Sequence, residues 1–223
     1  MRRSGWQRDP EGMRKRILEA ATEEFARFGL SGARIDRIAD AAGANKRMLY
    51  YHVGNKEKLY LEVLEAEYER IRAAERELKL EKLAPIDALV RLMEFTWQYY
   101  LQRPEFMALL NTENLHRARY IRRSRKLKQL HSPVVAMITD ILRRGEANGT
   151  IRKGIDAVQL YISMAGLSYF YLSNNHTLST TLRSNLLSGP AKAARLGHVS
   201  DLLVAALRSG RAPAPHMPAK VTN

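Results

Sequence analysis

A short stretch of the chain concentrates side chains that can contact a polyanion. It carries cations, tyrosines and a histidine close together: Lys46, Arg47, Tyr50, Tyr51, His52 and Lys56. Lysine and arginine can donate to guanine N7 and O6, and tyrosine hydroxyls can reach phosphate oxygens. Amphipathic aromatics among cations favour a nucleic-acid surface. A compact helical corner with a solvated charged face is the alternative that these residues alone leave open.

Two short helices must position these side chains. The inner face of the first helix carries apolar residues at helical spacing: Ile35, Ile38, Ala39 and Ala42. Gly43 supplies the permissive backbone of a tight turn, and the second helix spans about residues 46–52, with Asn45 counted among its outward residues. Helices this short are not stable alone, because nucleation is costly. Packed together they predict a helix-turn-helix motif, in which one helix braces and the other lies in the major groove.

The remainder of the chain has helical periodicity almost throughout, with no strand-like alternation of useful length. About nine helices are predicted, beginning near residues 13, 35, 46, 56, 85, 104, 133, 156 and 191. The first of these ends at Gly29, and Asn55 is an N-cap for the helix predicted over residues 56–80. The fold class is therefore all-α, with a three-helix helix-turn-helix domain followed by a helical bundle. Residues 1–10 and 211–223 are expected to be disordered.

Composition narrows the class of protein. The formal net charge of +14 favours a polyanionic partner, with nucleic acid ahead of an anionic membrane. The absence of cysteine excludes disulfides, thiolate metal sites and cysteine nucleophiles. No run approaches the roughly 18 apolar residues that a spanning helix needs, so we expect a cytoplasmic protein without membrane contact. Phosphate-binding glycine loops, HExxH and a nucleophile elbow are missing, and the histidines are scattered, so neither an enzyme nor a metal or cofactor site is expected.

Residues 38–59, IADAAGANKRMLYYHVGNKEKL, resemble the signature of the tetracycline-repressor (TetR) family, and the helix ILEAATEEFARFG precedes them at the expected distance. The resemblance implies a helix-turn-helix domain over residues 11–71, with the motif at about 34–53, and a ligand-binding and dimerisation domain over residues 72–210. It also implies a homodimer whose two recognition helices enter successive major grooves of a palindromic double-stranded DNA operator. A small-molecule effector bound in the second domain then releases a repressor from that operator.

The resemblance assigns DNA contacts residue by residue. Positions of the recognition helix fall on Lys46, Arg47, Tyr50, Tyr51 and His52, and the family's phosphate-contacting lysine falls on Lys56. We expect the Lys56 ammonium to join the free backbone N–H groups at the start of the following helix as a phosphate clamp. Arg34 stands where the family usually has a capping threonine; arginine cannot cap in that way, but it can reach a phosphate or a base. Arg47 stands where glycine is common, so the sequence preference of relatives does not transfer directly.

The C-terminal half carries weaker signals. By position, the helices YISMAGLSYFYLSN and HVSDLLVAALRSG are the expected dimer face, and ordinary core helices are the alternative. A sensor cavity is mostly apolar with a few convergent polar groups. The candidate effector contacts on this basis are Trp97, Tyr100, Met107, Asn111, Asn114, His116, Tyr161, Tyr169 and Tyr171. Each of these aromatics could equally be an ordinary core residue.

One further run, residues 116–131 with the sequence HRARYIRRSRKLKQLH, contains seven cations and no acid. Three interpretations stay open. The run is a solvated basic surface, or it binds an anionic effector such as an acyl-CoA or a nucleotide, or it makes an auxiliary contact with DNA.

Overall fold

A computed structural model describes residues 10–130 and 132–208, apart from the side chains of His52 and Ser132. The described residues form eleven α-helices: α1 (Pro10–Gly32), α2 (Ile35–Ala42), α3 (Lys46–Val53), α4 (Lys56–Arg76), α5 (Pro85–Gln102), α6 (Pro104–Leu115), α7 (Arg125–Leu130), α8 (Ser132–Ala147), α9 (Ala157–Ser173), α10 (Asn175–Thr181) and α11 (Gly189–Leu207). Two 3₁₀ turns lie at Leu80–Lys82 and Ile121–Arg123. The predicted disorder of residues 1–9 and 211–223 concerns positions outside the described residues, whereas Pro10 begins α1.

The all-α prediction is confirmed, and the departures from it are local. The helical backbone of α1 breaks at Gly29, as predicted, since Gly29 has the non-helical angles φ 63° and ψ 177°. Helical backbone resumes after this kink as far as Gly32, and the N–H of Ala33 donates to the Gly29 carbonyl at 3.1 Å. The helix predicted over residues 56–80 ends at Arg76, and Lys79 then adopts a left-handed φ of 50°. The short helices α7 and α10 make fewer than two turns each. The sequence did not predict these two helices, because the spacing of apolar residues over fewer than two turns is too short to mark a separate helix.

The described residues divide into two compact units. Among the described residues, the first unit draws on 10–74, 98–130 and 132–133, and the second on 75–97 and 134–208. Each unit is a group of residues that pack against one another, drawn from two separate stretches of the chain. The predicted boundary between a DNA-binding domain ending at residue 71 and a ligand-binding domain beginning at residue 72 is a division by function, and it stays a prediction.

The core of the first unit fixes the helix-turn-helix. Its side chains come from α1 to α4 and are almost fully buried: Ile17, Ala21, Phe25, Ile38, Ala39, Leu49, Val53, Leu59 and Val63. In this unit α1 packs against α2 and also against α6. Full burial of one large aliphatic side chain contributes about 1.5–3 kcal/mol. The eight-residue helices α2 and α3 therefore depend on this shared core for their stability.

The second unit has its own core, built from α5, α8, α9 and α11. Its central side chains are Leu89, Met93, Ile138, Ile141, Met164, Val199 and Leu207. Arg144 of α8 donates to the carbonyl oxygens of Leu80 and Leu83, at 3.1 and 3.0 Å, and so holds the 3₁₀ turn against this core. Gly145 is required beside it, because a Cβ there would collide with Ile151.

Candidate nucleic-acid interface

The turn between α2 and α3 has the geometry that the sequence predicts. Gly43 closes α2 with φ 64° and ψ 32°, a left-handed conformation that favours glycine. The Ala44 N–H donates to the Ala39 carbonyl at 2.9 Å. Asn45 then begins α3, and its Oδ1 accepts from the Met48 N–H at 2.8 Å. The turn is thus fixed on both sides, and the Asn45 side chain acts as a helix cap as well as a candidate DNA contact.

The helix α3 separates its anchoring side chains from its exposed ones. Leu49 and Val53 are fully buried, whereas Tyr50 and Tyr51 are 42% and 87% exposed. Arg47 is exposed beside them, and among the described residues it has no acidic partner within ion-pair distance. A tyrosine left so accessible on a helix anchored from behind is suited to contact another molecule. The remaining candidate on this helix, His52, has its side chain outside the described residues.

Lys46 is held by an acid of the bracing helix. Its Nζ lies 2.7 Å from Oδ1 of Asp36. The hydrogen bond raises the pKa of Lys46 and lowers the pKa of Asp36, so both groups are charged at neutral pH. An exposed pair of this kind adds little stability. The predicted contact of Lys46 with DNA therefore requires that Asp36 be displaced or share the ammonium.

The Lys56 side chain is held by backbone carbonyls. Its ammonium donates to the carbonyl oxygens of Ala33 at 2.7 Å and Ser31 at 3.3 Å, in the connection from α1 to α2. These two carbonyl oxygens accept from the ammonium, whereas the open N–H groups of α4 are donors and would meet Lys56 only through a shared anion. Asn55 caps α4 as predicted, and its Oδ1 accepts from the Lys58 N–H at 2.8 Å. Contact of Lys56 with a phosphate stays a prediction.

A buried carboxylate that the sequence reasoning missed braces α2 against α1. Glu24 is 9% exposed, and its Oε1 accepts from Arg37 Nε at 2.7 Å and from the Arg34 N–H at 2.8 Å. Burial alone would raise the pKa of Glu24, but these bonds outweigh it and bring the pKa below its usual value. The Arg37 guanidinium also lies over the Phe28 ring, 4.3 Å from its centroid. The signal in the sequence is a single acid placed beside the apolar stripe of α1.

Arg34 precedes α2, and its side chain makes no capping hydrogen bond, as its residue type predicts. The side chain is exposed, while its backbone N–H is used by Glu24. The guanidinium is thus available at the start of the bracing helix, on the same short connection that Lys56 holds.

The predicted effector contacts do not form one cluster within either unit. Tyr100 and Met107 are buried in the first unit, where Asn111, Asn114 and His116 are exposed. The second unit holds Trp97, Tyr161, Tyr169 and Tyr171. Trp97 is 1% exposed, and its ring centroid lies 5.5 Å from that of Tyr171. Three described cavities of about 450, 390 and 410 Å³ have none of these nine residues in their lining. A shared effector site therefore stays a prediction.

A bracing helix, a glycine turn and a short exposed helix rich in cations and tyrosines are the parts of helix-turn-helix DNA-binding proteins. Two family models match the chain accordingly. The model described as "Bacterial regulatory proteins, tetR family" matches residues 17–63, and "Tetracyclin repressor-like, C-terminal domain" matches residues 85–203. The second match covers more than half of the 223 residues. The chain belongs to the TetR family of transcriptional regulators, as the sequence predicts, and is not an enzyme.

Two relatives extend over most of the chain. The HTH-type transcriptional repressor NicS of Pseudomonas putida is 42% identical over 195 residues, which is 87% of this chain and 92% of the relative. The HTH-type transcriptional repressor SCO4008 of Streptomyces coelicolor is 33% identical over 72% of this chain and 79% of its own length.

Solved structures of lower identity share the fold. The putative transcriptional regulator SCO4942 from Streptomyces coelicolor has a TM-score of 0.66 at 23% identity, covering 87% of this chain and 98% of its own. The transcriptional regulator FadR from Bacillus subtilis, in complex with stearoyl-CoA, has a TM-score of 0.65 at 17% identity, covering 86% and 98%. Within residues 10–130 and 132–208, no helix combines the length and apolarity needed to cross a membrane.

Proposed function

We propose that this protein is a dimeric repressor that binds a pseudo-palindromic operator and leaves it when a small-molecule effector binds. The observation that carries the proposal is the α3 helix, which presents Arg47, Tyr50 and Tyr51 outward while Leu49 and Val53 fix it from behind. The two relatives that match most of this chain are both named as repressors. A regulator that acts on bacterial DNA works in the cytoplasm.

The proposed DNA contacts differ in chemistry. Arg47 can donate two hydrogen bonds to one guanine, and Lys46 can do so once it parts from Asp36. Tyr50, Tyr51 and the exposed Arg34 suit phosphate oxygens, which set register more than sequence. Asn45 and His52 complete the set on α3.

The dimer face is proposed on α9 and α11. Val158, Ile162 and Phe170 of α9 are 46%, 54% and 58% exposed, at spacings of four and eight residues that place them on one side of the helix. Gly166 lies on the same side, and a Cβ at this position would meet no other atom within 4 Å. Leu202 of α11 adds another exposed apolar side chain. A second copy of the chain is the proposed occupant, because helix-turn-helix proteins read two half-sites about one DNA turn apart.

Release by an effector is proposed as a population shift. The effector binds more tightly to a conformation whose recognition helices no longer match the half-site spacing, and this difference in affinity moves the equilibrium away from DNA. The candidate contacts are those predicted from the sequence, on residues 97–116 and 161–171.

Selection of bound duplexes from a random DNA library tests the proposal. We expect the wild-type protein to enrich one pseudo-palindromic sequence whose half-site centres lie about 34–36 Å apart. Arg47→Ala with Tyr50→Ala removes two bidentate base contacts per dimer and should weaken binding to that sequence by roughly 30- to 20,000-fold, at about 1–3 kcal/mol per contact. Lys153→Ala, which removes an exposed cation from the second unit, is the matched control. Enrichment of no sequence, or equal affinity of the α3 variant and the control, would refute the proposal.

A further inference from the structure

The basic segment, defined here as residues 117–128, is fastened along one side of α4 within the first unit. The Tyr120 hydroxyl lies 3.3 Å from Oε1 of Glu57, and Ser124 Oγ donates to Glu65 at 2.6 Å. Lys126 Nζ lies 2.8 Å from Glu69. With a rise of about 1.5 Å per residue, these three acids mark about 18 Å of helix. The segment therefore begins at the first turn of α4 and follows the helix from there.

The same segment is held from α6 by a buried acid. Glu113 is 2% exposed, and its Oε2 accepts from the N–H groups of Tyr120 and Ile121 at 3.2 and 3.1 Å. Arg117 and Ala118, which precede this anchor by two to three residues, both have a φ of 56°, in the left-handed region. Such conformations cost on the order of 1–3 kcal/mol each and persist where the surroundings fix them. The turn at Arg117 and Ala118 is therefore held in a backbone conformation that costs energy.

The charge of this segment exceeds what its partners neutralise. Arg123 and Lys126 pair with acids of α4, at 3.5 and 2.8 Å. The other cations are exposed and have no acidic partner among residues 10–130 and 132–208: Arg117, Arg119, Arg122, Arg125 and Lys128. Arg119 lies over the Tyr120 ring, 5.5 Å from its centroid, which limits its freedom. A surface that serves solubility alone usually mixes positive and negative side chains, whereas these five unpaired side chains are all positive.

The leading end of the segment adjoins the proposed DNA contacts. Glu57, which Tyr120 and Arg123 approach, is the neighbour of Lys56 in the first turn of α4. Lys56 in turn bonds the connection that leads into α2. Duplex DNA carries one charge per about 1.7 Å of its axis. A duplex seated on α3 and Lys56 therefore has further phosphates within a short distance of this end.

We propose that Arg119 and Arg122 contact the phosphate backbone that flanks each half-site, so that the protein covers more DNA than α3 alone would. The inference rests on the proposed function. It is favoured over an anionic small molecule by the spread of the charge, because a small ligand needs groups that converge on a cavity. These cations are exposed and distributed along α4, and none of them lines the three described cavities.

The test measures the salt dependence of DNA binding by the full-length dimer. The probe is the selected operator, prepared as a duplex of about 40 base pairs and as one trimmed to the two half-sites. Arg119→Ala with Arg122→Ala removes four phosphate contacts per dimer, so the slope of log K against log salt should fall by about 3.6 on the long duplex, at about 0.9 per contact. On the trimmed duplex the variant and wild type should differ little. Arg119→Lys with Arg122→Lys keeps the charge and should keep the slope.

The matched control is Lys82→Ala with Lys153→Ala, which removes two exposed lysines of the second unit and should leave the slope unchanged. A circular dichroism melt within about 2 °C of wild type establishes that each variant is folded. An Arg119 and Arg122 alanine variant with the wild-type slope on the long duplex would overturn the inference. So would a wild-type slope combined with lost thermal stabilisation by stearoyl-CoA, which would assign the segment to an anionic ligand. Failure of the wild type to select any duplex would instead refute the proposed function.

Discussion

Replacing Glu24 by glutamine tests whether one buried carboxylate holds α2 against α1. Glutamine keeps the size of the side chain but removes the charge that accepts from Arg37 Nε at 2.7 Å and from the Arg34 N–H at 2.8 Å. Hydrogen bonds to charged groups contribute about 1.5–3 kcal/mol each, and the Arg37 side chain is 42% exposed, which reduces that value. We expect the free energy of unfolding to fall by about 1–2 kcal/mol, or the Tm by roughly 2–8 °C.

The pH dependence of that difference gives a second readout. Burial raises the pKa of Glu24, but the bonds from Arg37 and Arg34 leave it below its usual value in the folded protein. A carboxyl whose folded pKa is lowered contributes stability above its unfolded pKa of about 4.3, and this is lost as pH falls through the folded value. The difference between wild type and Glu24→Gln should therefore be constant near neutral pH and shrink below about pH 4.

Urea unfolding followed by circular dichroism measures both effects. All variants must be compared at one protein concentration, because the stability of the proposed dimer depends on it. Glu23→Gln is the matched control, since this neighbouring glutamate is exposed. Equal urea midpoints for the Glu24 and Glu23 variants across the pH range would refute the assignment of Glu24 as a brace.

Three further changes address other parts of the molecule. Leu49→Ala should cost about 2–5 kcal/mol by opening a cavity behind α3, measured by the same urea titration; a loss below 1 kcal/mol would mean that Leu49 does not anchor the helix. Asp36→Asn should free Lys46, tighten DNA binding and steepen the salt slope by about one per protomer; weaker binding in a gel-shift titration would contradict this. Ile162→Glu with Phe170→Glu should convert the dimer to a monomer in sedimentation velocity, and an intact dimer would place the interface elsewhere.

The helix-turn-helix could be read from the sequence because its signals are local. Gly43 and Asn45 lie within three residues of each other, and each acts through its own backbone or a neighbour's N–H. The buried side chains of α2 repeat at helical spacing, so the period alone assigns the inner face. Contacts between residues far apart in the sequence cannot be predicted from such local signals. Lys56 donates to a carbonyl 23 residues earlier, and no local pattern in the sequence identifies that acceptor.

The predicted effector contacts could not be read from the sequence in this way. Trp97 and Met107 lie on helical stripes, and a stripe looks the same whether it faces a packed core or a ligand cavity. Both side chains are buried in the structure. Polar residues such as His116 gave no better guide, since its Nδ1 lies 2.8 Å from the Thr112 carbonyl of the preceding turn.

The bonds from Lys56 to the carbonyls of Ala33 and Ser31 have a consequence for the entropy of binding. A free lysine side chain carries about 2 kcal/mol of rotamer entropy, which it loses when it grips a phosphate. Lys56 gives up that freedom when the chain folds, because two of the three donors of its ammonium are already directed by backbone oxygens. In the proposed complex its remaining donor meets a DNA phosphate from a fixed position. The loss of side-chain entropy at Lys56 then lowers the free energy of unfolding and does not weaken the proposed binding of DNA.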